Sequence, residues 1–108
     1  MALWKAICDA AEIEENGLRE FDLDGVKLLV ARSGDELLVY PLRCPHMDEP
    51  LSNGICDGVS LTCSFHLWQW DMRSGESMGD AEIDLLIYPS RVENGKLFVD
   101  MEKTLDYD

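Results

Sequence analysis

The stretch "CPHMDEPLSNGICDGVSLTCSFHLW", residues 44–68, holds three of the chain's four cysteines and both of its histidines. Written as spacing, it reads Cys44-Pro45-His46, sixteen residues, then Cys63-Ser64-Phe65-His66, so each of two arms carries one thiol and one imidazole. Brought together, the arms supply two soft anionic ligands and two neutral nitrogen ligands, a set that serves either one tetrahedral zinc or a two-iron cluster. Structural zinc sites space like ligands in pairs, C-x2-4-C or H-x3-5-H, whereas each arm here mixes the two types. A two-iron cluster of mixed ligation fits better. One iron then takes both cysteines and the other both histidines, so each arm must reach both irons, as a Cys and a His two or three positions apart can do.

Around this region the chain reads as short strands separated by turn residues. "LWKAIC" (3–8), "LREFDL" (18–23), "VKLLVAR" (26–32) and "ELLVYPL" (36–42) have strand length, with Asp24-Gly25 and Ser33-Gly34-Asp35 placed as hairpin turns. Beyond the arms come "HLWQWD" (66–71), a turn at Arg73-Ser74-Gly75, then "LLIYPSRV" (85–92) and "KLFVDM" (96–101) joined through Glu93-Asn94-Gly95. Only "DAAEIEEN" (9–16) has helical character, with Asp9 as N-cap and Gly17 as stop. The pattern predicts an all-β fold, an antiparallel sandwich or small barrel, with the arms as an irregular insertion at about residues 43–70. No repeat, low-complexity tract or linker divides the chain, so residues 1–108 are expected to form a single domain.

Composition narrows the functional classes. A hydrophobic fraction of 46% and a charged fraction of 29% are those of a folded protein rather than a disordered one. The longest apolar runs fall well short of the roughly 18 residues a membrane span needs, and "MALWKAICDAAEIEENG" lacks the pattern of a signal peptide. A cytoplasmic location is expected. Twenty-two acidic residues against nine basic ones give a formal charge of -13, which repels nucleic acid and anionic membranes and attracts basic protein surfaces. A cytoplasmic setting disfavours disulfides, and Cys8 and Cys56, outside the paired arms, read as small apolar residues or inert thiols.

The arms, C-P-H, sixteen residues, C-S-F-H, resemble the Rieske [2Fe-2S] motif C-x-H-x(15 to 17)-C-x-x-H. The resemblance implies a Rieske fold with a two-loop cluster-binding subdomain and one [2Fe-2S] cluster, in which Cys44 and Cys63 hold one iron and His46 and His66 the other. Neutral imidazoles in place of two thiolates raise the potential into a range of roughly -150 to +300 mV. Several residues point to the low end of that range. High-potential relatives carry a disulfide between the loops, and its positions here are Glu49 and Phe65; they also carry a Ser that donates to a cluster sulfur, at the position of Trp68. A lost donor and nearby negative charge from Asp48 and Glu49 both lower a potential.

No nucleotide-binding glycine motif is present, and 108 residues leave little room for the second iron site of an oxygenase. The resemblance therefore implies a Rieske ferredoxin, an electron-transfer component rather than an enzyme. "CPHMDEPLSNG" and "CSFHLWQWD" look most like ferredoxins of toluene-monooxygenase-type systems. By that likeness the chain takes single electrons from an NADH-dependent flavoprotein reductase and, as a monomer, delivers them to a diiron hydroxylase acting on aromatic or alkene hydrocarbons. Alternatives are the ferredoxin of a ring-hydroxylating dioxygenase, the small Rieske subunit of nitrite reductase, or a zinc-stabilised interaction module. Trp68, Asp48 and Glu49 are candidate partner contacts. Alternation along "HLWQW" puts Trp68 and Trp70 on one face, Trp70 as core, and leaves Trp68 either a core shield or a docking residue.

Overall fold

The computed structural model describes residues 3–43, 50–63, 68–79, 81, 83–102 and 105. Their strands form three antiparallel sheets. The base sheet has the order β1-β10-β9, from Trp4–Asp9, Lys96–Asp100 and Ser90–Glu93. The middle sheet runs β2-β3-β4, from Leu18–Leu23, Val26–Ser33 and Glu36–Pro41. A third, the arm sheet, has the order β5-β6-β7-β8, from Ile55–Cys56, Ser60–Thr62, Gln69–Asp71 and Ser77–Met78.

Local chemistry sets the hairpins. Asp24 and Gly25 both have positive φ (54° and 88°), as do Asn94 and Gly95 (52° and 76°), the geometry of a type I′ turn whose twist suits the flanking strands. Between Ser33 and Glu36, Gly34 alone takes positive φ, the pattern of a type II′ turn.

Strands β3 and β4 of the middle sheet are buried on both faces, which explains why "LLVA" and "LLVYP" read as continuous apolar runs. Leu29, Ala31, Leu38 and Tyr40 face one core together with Leu51, Leu61, Cys63, Trp70, Met72 and Leu85. Their neighbours Leu28, Val30, Leu37 and Val39 face a second core with Ile13, Tyr88, Leu97 and Val99. Side chains alternate across a strand, so the register pairs Leu29 with Tyr40 on one face and Val30 with Val39 on the other. One wall thus serves two cores.

Three expectations are corrected. Residues 9–16 hold only a single 3₁₀ turn, Ala10–Glu12, in which the Glu12 carboxylate accepts from the Asp9 backbone N–H at 2.9 Å. Asn16, at φ 59°, ends the segment, and three-residue turns tolerate little more. Residues 85–89 are not strand: Tyr88 makes one bridge to Val39, and the ladder starts at Ser90. Residues 50–63, expected to be irregular, contain the 3₁₀ turn Leu51–Asn53 and the strands β5 and β6.

Candidate metal centre

Of the four expected ligands, Cys63 lies among the described residues, whereas Cys44, His46 and His66 lie outside them, as do Asp48, Glu49 and Phe65. What the structure does describe is the stems from which both arms spring. Arg43 and Pro50 form an antiparallel bridge, and the Leu51 N–H donates to the Leu42 carbonyl at 2.7 Å, so the chain leaves and returns at one point around residues 44–49. The second arm is closed the same way. Thr62 pairs with Gln69, and the Cys63 N–H donates to the Trp68 carbonyl at 2.8 Å across residues 64–67.

Both stems sit at the same end of the arm sheet. β5 begins opposite the end of β6, Ile55 against Thr62, so the first arm enters where the second arm departs. The turns joining β5 to β6 and β7 to β8 lie at the other end. A close backbone approach holds the stems together: a Cβ on Gly54 would lie 2.1 Å from the Thr62 carbonyl oxygen, so only glycine fits. The same core anchors both stems, with Leu42 and Leu51 from the first and Cys63 and Trp68 from the second.

Trp70 is the keystone of that core. It is fully buried, and its indole N–H donates to the Ile83 carbonyl at 2.8 Å, so its one polar atom is satisfied. The Trp68 ring meets it edge-on, with centroids 6.3 Å apart and planes at 66°. Trp68 is half-buried, so it both shields the core and retains an accessible edge beside the second arm. Tyr40 lies below, its hydroxyl donating to the Met72 carbonyl at 2.5 Å, and burial holds its pKa far above the ordinary phenol value.

The thiols outside the arms sit where burial disfavours the charged form. Cys8 and Cys56 are half-buried, and burial raises the pKa of each, which keeps both in the unreactive neutral form. The Cys56 Sγ lies 3.3 Å from the Asn16 carbonyl. The sequence does not single out the stem residues Leu42 and Leu51, whereas Gly54 is legible as a glycine that shapes the run between the arms.

The donor set fits a mixed-ligand two-iron cluster. Paired stems, fixed to one core and opening at one end of one sheet, can present two loops to a shared group, and Cys63, 1% exposed, sits at the root of the second. Comparisons with known proteins agree. The Rieske [2Fe-2S] domain model matches residues 3–88. The methanesulfonate monooxygenase ferredoxin subunit of Methylosulfonomonas methylovora is 38% identical over 97% of this chain and 86% of its own length. The ferredoxin component of the alkene monooxygenase system of Xanthobacter autotrophicus is 26% identical over 89% and 80%. Among solved structures, a chain from the complex of reduced oxygenase and oxidised ferredoxin in carbazole 1,9a-dioxygenase superposes with a TM-score of 0.85 at 26% identity, covering 98% of this chain and 100% of that one. The chain belongs to the Rieske [2Fe-2S] domain family, and its cofactor is a Rieske-type [2Fe-2S] cluster.

Proposed function

We propose that this chain is a cytoplasmic Rieske ferredoxin that carries single electrons from an NADH-dependent flavoprotein reductase to the diiron hydroxylase of a multicomponent monooxygenase. Cys44 and Cys63 hold one iron and His46 and His66 the other. The observation that carries the reading is the likeness, over nearly the whole chain, to ferredoxin components of two monooxygenase systems. One of those systems is named for a sulfonate and the other for an alkene, so substrate choice rests with the hydroxylase and not with this chain. The cluster supplies one-electron chemistry. The protein's own residues anchor the stems of both arms on one core, Trp70 and Leu51 among them, and the chain's acidic composition suits basic partner surfaces.

The test is a reconstituted chain of NADH, flavin reductase, this protein and the hydroxylase of an alkene or methanesulfonate monooxygenase. The purified protein should be red-brown, give an EPR signal only when reduced, and be required for NADH-driven turnover. A colourless protein that retains zinc would overturn the assignment.

A further inference from the structure

The outer face of the arm sheet has a directional pattern that electron transfer does not by itself require. Leu61 and Trp70 point into the core, so their strand neighbours Thr62 and Gln69 point outward. The register places Ile55, Thr62, Gln69 and Met78 in one cross-strand row at the end that bears the arms. The outer members of that row are apolar and exposed, Ile55 at 72% and Met78 at 39%. Its middle members bond to each other, Gln69 Nε2 donating to Thr62 Oγ1 at 3.1 Å, which meets part of their hydrogen-bonding demand within the row.

The far end of the same face is acidic. Asp57 and Asp71 sit in its two turns, each taking two backbone N–H bonds that hold its carboxyl below the usual range, and Glu76 is exposed beside them. Both aspartates are therefore ionised at neutral pH.

We infer that this face is the docking surface for the hydroxylase, and that it fits a partner surface with an apolar centre next to the arms and a lysine- or arginine-rich border beyond it. The inference rests on the ferredoxin reading above. Two observations single out this occupant. The row is continuous with both arm stems, so a partner seated on it lies beside the cofactor loops. The chain's formal charge of -13 grows more negative on reduction, so a basic partner prefers the electron-loaded form, which the electron acceptor needs to bind.

The experiment measures the affinity of the reduced, cluster-loaded protein for the hydroxylase that accepts its electrons in the reconstituted assay, at low and high salt. Met78→Asp and Ile55→Ser should each weaken binding about tenfold with the absorption spectrum unchanged, as removal of an apolar interface contact does. Glu76→Lys should weaken it at low salt and approach wild type at high salt. Leu3→Asp, exposed just before the first strand of the base sheet, serves as the control and should bind as wild type. Wild-type affinity in both Met78→Asp and Ile55→Ser would overturn the docking face while leaving electron transfer standing. Failure of the wild-type protein to pass electrons to any hydroxylase would remove the ferredoxin reading and the docking face together.

Discussion

The two faces of the middle sheet bury similar side chains but meet partners of very different construction. Toward the base, strands of four to six residues pair in longer ladders, β9 with β10 through a primed hairpin turn and β1 with β10 through a register shift at Ala6–Cys8, and Leu97 and Val99 meet Leu28, Val30 and Val39 in the core between them. Toward the arms, strands of two or three residues cannot hold themselves together by backbone bonds alone. There, Trp70, Leu51 and the Gly54–Thr62 approach do the work instead. The base is stable through repetition and the arm region through a few irreplaceable contacts, so damage to the second should reach the cofactor.

The sharpest break in that comparison is at the ligands. His46→Ala or His66→Ala should abolish the cluster spectrum while leaving far-UV circular dichroism of the base strands in place. A retained red-brown colour in both variants would refute the ligand assignment.

Next comes a matched pair of core truncations. Trp70→Ala removes the keystone and its bond to Ile83, and Leu97→Ala opens a cavity on the opposite side of the middle sheet. Each should cost about 3–5 or about 2–5 kcal/mol respectively, a large part of the 5–15 kcal/mol typical of a small domain. The readouts should differ. Trp70→Ala should also lose or destabilise the cluster, whereas Leu97→Ala should lower the denaturant midpoint and keep the reduced EPR signal. Equal loss of cluster in both would mean that the two cores are one cooperative unit.

The same contrast explains what the sequence made legible. The long hairpins announce themselves because Asp24-Gly25 and Asn94-Gly95 can adopt the required positive φ and the runs between them have strand length. The Cys and His spacing identifies the cofactor because metal geometry constrains it more tightly than any fold does. β5 and β6 were illegible because two or three residues carry no measurable period, and their pairing depends on contacts made elsewhere. Residues 9–16 misled for the opposite reason: a genuine capping arrangement at Asp9 and Glu12 closes one turn, but no apolar face extends it into a helix. Tyr88, read as part of a strand, instead packs into the base core, and its hydroxyl accepts from the Leu105 N–H at 2.9 Å.

A smaller perturbation tests whether the stems need their close approach. Gly54→Ala places a methyl group against the Thr62 carbonyl, and overpacking of this kind costs about 1–3 kcal/mol. Because the strain falls between the two arms, the cluster should become labile to oxygen or chelators at temperatures where the fold is intact. Unchanged cluster lifetime would place the stems' rigidity elsewhere, with Leu51 and Trp70.

The smallest effect concerns acid. The Asp71 carboxylate accepts from the Arg73 and Ser74 N–H groups at 2.9 and 3.0 Å, and these bonds lower its pKa from the ordinary 3.8. A folded-state pKa below the unfolded one means that the carboxylate's stabilising contribution is complete above the unfolded value and is lost as pH falls through the folded one. Asp57 caps the other turn of the arm sheet in the same way. Asparagine keeps the accepting oxygen but cannot titrate, so Asp57→Asn with Asp71→Asn should leave the turns formed and flatten the acid limb of stability below about pH 4. Denaturant midpoints measured from about pH 6 downward should therefore converge for the variant and wild type as acid protonates the wild-type carboxylates. Parallel curves would show that the two caps hold the arm sheet by geometry alone, and that its acidic end matters for partners rather than for folding.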